Sequence, residues 1–555
     1  MKVTGFAIAL AGLFAGATFA QTPTVGGLLN NYSFTLPGLP NYGIAEGSIF
    51  DIYGTNFTAA AAPLQGPPLQ STLNGVTISV TVNGTTTHPL FYYLGPNQID
   101  AVLPSATPVG TGTITVATSA GTSTPFPITV VASAFGLLTS NNGTGPAQGY
   151  NANNNGALFG FTQAVNPGEI LELWGTGLGP VNDDATDVAV TPTAQVFIGG
   201  VAADVLYAGR SGYTGLDQIN IKVPNGVTGC YVSVVVQTGN VVSNFGTLPV
   251  AASGRTCTDV NTPFSSSLLD GIGQGSNVSV GFVSVSQLTT PGITVGGVTV
   301  GGTTTNEGSA SFSKITSAQF NQGAFASALG GFASAGSCYV DTFQSNTQST
   351  ALPVTFQFDS LNAGPDVNIN GPDGLTAMPL MVTNGIDLYT TPLGAGTFIP
   401  AGGGTFKFDN GSGGPDVGAF TATLQMAPAV TWTNTSDLAT VTRANPMTVN
   451  WSGGSSGNYV GISGFSLASI NGSTTDYLVG FFTCAAPATA GTFTVPSSVL
   501  LALPPSSVIS EGGASLSLSY LFLSSLTAPV TFTAPNLDLG IVDAAIETLL
   551  STTYQ

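Results

Sequence analysis

GSIFDIYGTNF at residues 47–57 and GEILELWGTGL at 168–178 are two versions of one pattern, and pairing them decides how the chain is read. Ile49 aligns with Ile170, Ile52 with Leu173, Tyr53 with Trp174 and Gly54 with Gly175. Downstream, Gln98-Ile99-Asp100 and Pro104 meet Gln218-Ile219-Asn220 and Pro224, and Ala132-Ser133 meets Ala252-Ser253. The offset is 121 at the first block and 120 at the later ones, a register that chance does not hold over about 80 residues. The chain therefore carries two copies of one module.

Inside each copy, short runs of β-branched and apolar residues are separated by turn residues. Copy 2 predicts strands near 169–174, 194–198, 202–207, 217–223, 230–237 and 245–251. Cys230, Val232, Val234 and Val236 alternate with Tyr231, Ser233, Val235 and Gln237, the period of a strand with one buried face. Six or seven such strands in about 90 residues match an immunoglobulin-like β-sandwich. Asn74-Gly75, Asn83-Gly84 and Gly199-Gly200 have the chemistry of hairpin turns.

NPGEILELWGTGLGP (166–180), VFIGGVAADVLYAG (196–209), DQINIKVP (217–224) and GCYVSVVVQTGNVVSNF (229–245) resemble the Solibacter-type uncharacterised C-terminal domain family over residues 134–253. Copy 1 (45–133) is a degenerate version, similar to the related IPT/TIG immunoglobulin-like domains. With both copies counted, the resemblance covers about 40% of the chain. It implies a secreted acidobacterial protein built of sandwich modules, and it implies no activity. The chain departs from the family in one respect: about 300 residues follow the module.

A chain of 555 residues is too long for one core and predicts three or four domains. Charged residues make up only 6%, against roughly 25% in ordinary domains, so Thr, Ser, Asn and Gly must cover much of the surface. With 32 Phe, 15 Tyr and abundant Val, Ile and Thr, the 74 Gly and 35 Pro read as turns between strands rather than as disorder. The formal charge of −19, with seven Lys plus Arg and no basic run, argues against nucleic acid and anionic membranes as partners.

Residues 1–20, MKVTGFAIALAGLFAGATFA, have the three-part layout of a secretory signal peptide and predict an extracellular or cell-surface location. No later apolar run is long enough for a membrane span, and ASLSLSYLFL at 514–523 alternates as a strand does. Cys230, Cys257, Cys338 and Cys484 then read as two disulfides. Cys230 pairs with Cys257 because both lie at the ends of one module, and Cys338 with Cys484 by elimination. No two cysteines are closer than 27 positions, which argues against a zinc cluster.

The expected organisation is a mainly β chain of tandem immunoglobulin-like sandwiches followed by further β-rich domains. A linker (21–44) precedes repeat 1 (45–133), a connecting segment (134–165) and repeat 2 (166–257). A β-rich region (258–350), a sandwich-like domain (351–500) marked by Trp432 and Trp451, and a β-like tail (501–555) complete the chain. Helices are expected at 317–333, from the spacing of Phe320, Ala324, Phe325, Ala328 and Phe332, and from Ile541 to Leu550.

Catalytic groups are scarce. His88 is the only histidine and precedes Pro89 at a strand start, a poor setting for a triad. Lys222, Lys314 and Lys407 have no recognisable nucleophile context. Glu169 and Glu172 are the best local carboxylate pair, but odd spacing in a strand puts them on opposite faces. Asp51 stands where copy 2 has Glu172, which fits a solvent-facing acidic position. Asp183, Asp184 and Asp187 in one loop, and Asp409, Asn410 and Asp416 in another, are calcium candidates of hard oxygen donors, with plain turns as the competing reading. No other cofactor is expected. Tyr53 and Trp174 offer flat rings for sugar stacking, although inward alternation would place them in the sandwich cores.

Together these features predict an exported, non-catalytic surface or extracellular protein with structural, adhesive or ligand-binding modules. A glycan-binding or polysaccharide-active protein with its site in 258–500 is the alternative. The expected partner is an extracellular protein or glycan, with self-association through strand edges as a further route.

Overall fold

A computed structural model describes residues 21–184, 194–259, 264–273, 276–295, 298–315, 333–345, 359–383, 385–395, 398–473, 475–511, 514–517 and 519–555. The leader at 1–20, Asp187 and all but Ala333 of the helix expected at 317–333 lie outside these residues. The fold is mainly β. Short helices are present at Ser266–Gly273 and Ser497–Ala502.

Copy 1 is a two-layer sandwich. One layer orders Thr24–Asn30, Ile49–Thr55, Gln98–Val102 and Leu90–Leu94; the other is built around Val76–Val82, Gly110–Thr118 and Phe126–Val131. Phe50, Ile52, Phe91, Ile99, Ile78, Val80, Ile114 and Val130 meet between them. The stretch 21–44, expected as a linker, thus supplies a strand, paired antiparallel with Ile49–Thr55.

Copy 2 repeats the plan, and its strands fall where the sequence puts them: Ile170–Thr176, Ala194–Ile198, Val201–Arg210, Asp217–Lys222, Gly229–Thr238 and Gly246–Val250. Val201–Arg210 joins the layers, pairing Ala194–Ile198 with its first residues and Asp217–Lys222 with the rest. The segment 134–165 is part of this module and not a connector, since Gly136–Leu137 and Gly149–Asn151 both pair with Ile170–Thr176. Gly54 and Gly175 occupy one equivalent place. A Cβ on Gly54 would overlap the Thr24 carbonyl, and one on Gly175 would overlap Phe135 and the Gly136 carbonyl. In each copy the Gly after the aromatic residue lets the module's first strand cross closely.

Gly229–Thr238 is covered on both faces, where the alternation predicts one. Val232, Val234 and Val236 enter the copy 2 core, whereas Val235, with Val242 and Phe245, enters a second core with Tyr339, Phe482 and Leu500. Ser233 on the outer face is satisfied by Ser337, whose hydroxyl accepts from the Ser233 N–H at 2.9 Å. Packing of the C-terminal region against copy 2 buries a face that the module alone would leave wet.

The regions 258–350, 351–500 and 501–555 interleave in one 14-stranded sheet. Its long members are Val278–Val295, Val298–Ile315, Tyr459–Ser469, Tyr477–Pro487, Ser519–Ala534 and Leu537–Tyr554. Residues 541–550 are strand, not the helix expected. Their Ala, Glu and Leu favour a helix locally, but Leu537–Tyr554 pairs in parallel with Val278–Val295 and antiparallel with Ser519–Ala534. Two ladders and burial of Val542, Ala544 and Ile546 outweigh propensities worth tenths of a kcal/mol per residue. Cys230–Cys257 and Cys338–Cys484 are both disulfides, the second joining directly paired residues of neighbouring strands.

Candidate functional site

The aromatic residues of the repeat face away from the cores. In copy 2, Leu171 and Leu173 are buried inside, so Glu172 and Trp174 must point outward from the same strand. The same alternation holds in copy 1, where Phe50 and Ile52 fill the core and Asp51 and Tyr53 turn out. The inward placement expected for Tyr53 and Trp174 is therefore reversed, because the aliphatic residues beside them take the inner positions.

The outer face of copy 2 is assembled from five strands. Across it, in register, run Tyr207, Asn220, Glu172, Tyr150 and Leu158. One step along the strands, Gln218 lies opposite Trp174. On the other side, Lys222 lies between Ile170 and Asp204. Trp174 and Tyr150 form an edge-to-face pair with ring centroids 4.6 Å apart. Leu158 and Leu206 are each 55% exposed and Tyr150 36%. Trp174 is half-buried. Gln218 donates to Asn220 at 2.8 Å, which fixes one amide against the other. The face therefore offers flat apolar surface, interleaved amides, the carboxylates of Glu172 and Asp204 and the ammonium group of Lys222.

Copy 1 has the same face and one end of it is covered by copy 2. Both copies carry a β-bulge at one place, between Phe91 and Tyr93 in copy 1 and between Val205 and Tyr207 in copy 2. The bulged residues, Tyr92 and Leu206, are equivalent. Seven positions separate Tyr93 from its partner Asp100, and thirteen separate Tyr207 from its partner Asn220, so copy 2 has the longer connection. That longer loop lies on copy 1. The Tyr92 hydroxyl donates to the Thr214 carbonyl at 2.7 Å. A Cβ on Gly215 would fall 2.9 Å from Ile49 and 3.1 Å from Val102. Ile49 and Val102 beneath it are buried.

A buried polar hub anchors this closure. Arg210 and Asp217 form an ion pair from which solvent is excluded, and Arg210 Nη2 also donates to the carbonyls of Gly47 at 3.1 Å and Gly179 at 3.3 Å. Asp217 accepts the Leu178 N–H at 2.8 Å. Thr176 accepts the Ile49 N–H at 2.8 Å and donates to the Gly215 carbonyl at 2.6 Å.

Asp51 is buried, not solvent-facing, and stands directly opposite Asp100. It accepts from Asn31 at 2.5 Å and from the Tyr53 hydroxyl at 3.1 Å, while Asp100 accepts from Gln98 at 2.7 Å. Burial, reinforced by the neighbouring carboxylate, pushes Asp51 up to about 7 despite the bonds from Asn31 and Tyr53. Burial also raises Asp100. Two carboxyls so placed favour holding one proton between them, and full burial of Asp51 keeps it from a reacting substrate.

The other sequence candidates do not converge. His88 is exposed, with Nδ1 3.0 Å from the Ile78 carbonyl and 3.4 Å from Ser79 Oγ. Lys314 lies opposite Ser279 and Asp359, Lys407 opposite Asn370 and Thr423, and Lys222 on the outer face of copy 2. Burial alone would raise the Glu169 carboxyl, but Arg255, the Asn166 N–H and Asn151 hold it below its ordinary value. Asp184 caps copy 1, accepting from the Ser105 N–H at 2.9 Å and its hydroxyl at 2.5 Å. Asp409 accepts from Asn368 at 2.9 Å and the Gly411 N–H at 3.0 Å, and Asp416 from the Asn362 N–H at 2.9 Å. Asn410 bonds the Ala363 and Gly418 carbonyls at 2.9 and 3.1 Å. These are turn and latch bonds. Among the described residues no three His, Cys, Asp or Glu gather as a metal site, Asp183 and Asp184 included.

In 258–500 an open cleft of about 400 Å³ is lined by Asn434, Thr440, Asn445, Thr448 and Asn450, with Asp437 as its one acidic residue. The residues that sequence reasoning missed are Tyr150, Leu158 and Leu206. The first two lie in very short strands of the presumed connector, and Leu206 owes its exposure to the bulge. The sole sequence signal was the bulge-compatible run VLYAG beside FYYLG.

No family model matches the chain, and no curated protein matches it. Among solved structures, SGBP-B from a complex xyloglucan utilization locus in Bacteroides uniformis is similar at 12% identity, covering 67% of this chain and 86% of that one, with a TM-score of 0.15. SGBP-B of the Bacteroides ovatus mixed-linkage glucan utilization locus, in complex with a mixed-linkage heptasaccharide, has 12% identity over 52% of this chain and 70% of that one, TM-score 0.20. Domains 5-6 of the S-layer protein SbsC show 14% identity over 41% and 98%, TM-score 0.15. The likeness extends to β-rich architecture alone.

Proposed function

We propose that the protein is an exported, non-catalytic glycan-binding protein whose working surface is the outer face of copy 2. The observation that carries this reading is the outward-facing Tyr150–Trp174 pair, with Tyr150 exposed and Trp174 half-buried, flanked by Gln218, Asn220 and Glu172. Flat rings offer apolar area to the C–H faces of sugars at little conformational cost, and amides and a carboxylate meet hydroxyl groups. Copy 1, joined to copy 2 through the Arg210 hub, and the C-terminal region, with a core shared with copy 2, serve as a stem. Two disulfides suit a protein that works in an oxidising compartment outside the cytoplasm. The site is thereby assigned to copy 2 and not to 258–500.

A glycan array probed with the full-length protein and with Trp174→Ala tests the reading. Binding that Trp174→Ala removes, with no glycan shortened on prolonged incubation, is the expected result. Turnover of any polymer, or array signals that the substitution leaves intact, would overturn it.

A further inference from the structure

Resting on that reading, we infer that the ligand is a neutral, extended glycan chain that lies across the strands of the copy 2 face and fills it with about four sugar units.

Size sets the length. The row Tyr207, Asn220, Glu172, Tyr150, Leu158 crosses five adjacent strands. At strand spacings of about 4.8 Å the row is on the order of 19 Å long, the reach of about four sugar rings. Along the strands the face runs only from Ile170 to Trp174, about 13 Å. The apolar groups also mark the longer direction: Leu206 at one edge and Leu158 at the other are equally exposed, with Trp174 and Tyr150 between them.

Shape and charge set the class. A sheet face is a shallow surface, and a β-linked chain of equatorial bonds forms a flat ribbon that touches every strand of it. An α-linked chain coils and would lift away after one or two rings. The amides of Gln218 and Asn220 lie between the apolar patches, where the edge hydroxyls of a ribbon pass. The charges on the face are Glu172, Asp204 and Lys222, a net negative set on a chain of net charge −19. Uronate or sulfate polymers would meet repulsion at close range and from the whole molecule.

The test uses the full-length protein, titrated calorimetrically with a soluble β-1,4-glucan, an α-1,4-glucan and polygalacturonate, and then with β-1,4-glucan oligomers of increasing length. The expected result is binding to the β-glucan alone, with affinity reaching a plateau at about four units. Trp174→Ala should lower that affinity at least about tenfold, and Trp174→Phe, which keeps a flat ring, should hold it within about threefold. Tighter binding to polygalacturonate or to the α-glucan, still dependent on Trp174, overturns the neutral, extended class and leaves the platform standing. No binding to any of the polymers by protein with an unchanged β-sheet spectrum, or binding indifferent to Trp174→Ala, overturns the class and the platform together.

Discussion

Asp51 and Asp100 sit directly opposite each other on neighbouring antiparallel strands of copy 1, at the place where copy 2 sets Glu172 opposite Asn220. Copy 1 thus sets two carboxyls side by side where copy 2 sets one carboxyl beside an amide, and at one end of the copy 1 face the loop 211–216 covers Ile49 and Val102.

The carboxyl pair makes stability pH-dependent. Asp51 titrates at about 7 in the fold and near 3.8 when unfolded, so between these values the native state holds a proton that the unfolded chain has released. Its contribution is therefore full below about pH 4 and is lost as pH rises through about 7. Asp51→Asn keeps the shape and removes the titration. We expect the variant to be more stable than the parent at pH 8, by up to about 4 kcal/mol, with the difference vanishing near pH 4. Urea denaturation at both pH values measures it, and a variant less stable at pH 8 would refute the buried-pair assignment.

Breaking the Arg210 hub should be costly. Arg210→Met leaves Asp217 buried without its cation and strips donors from Gly47 and Gly179, for an expected loss of about 3–5 kcal/mol. Copy 1 and copy 2 should then separate more readily, seen as faster proteolysis of the chain between them. Arg255 is partly exposed, and Arg255→Met should cost about 1 kcal/mol or less.

Orientation of the repeat strand is tested by neighbouring residues. Leu173→Ala opens a cavity in the copy 2 core and should cost about 2–5 kcal/mol. Trp174→Ala removes an outward ring and its contact with Tyr150, and should cost no more than about 1.5 kcal/mol. Equal losses in chemical denaturation would contradict the outward placement of the tryptophan.

The two disulfides close loops of unequal length, 27 and 146 residues apart in sequence. Chain entropy then assigns about 3.5 kcal/mol to Cys230–Cys257 and about 5 kcal/mol to Cys338–Cys484. Replacing Cys338 and Cys484 together by Ala should lower the melting temperature more than replacing Cys230 and Cys257. The reverse order, by calorimetry, would show that local packing and not loop closure governs these bonds.

Legible from the residues alone were the module and its duplication, the six strands of copy 2, the cysteine partners and the mainly β class. The duplication, the strands and the class follow from signals within a few residues, a period of two, a turn dipeptide or a repeated block, and the cysteine partners follow from the module ends and from elimination among four. What only tertiary structure decided depends on which surfaces meet. Residues 541–550 became strand because two ladders were waiting for them. Val235 was buried by a region about a hundred residues further on. Ile49 and Ile170 share one sequence position, yet the first is buried and the second half-exposed, because a lengthened loop of copy 2 reaches across to Ile49 and Val102 of copy 1. Alternation tells which side of a strand a residue takes; what lies beyond that side is a property of the assembled molecule.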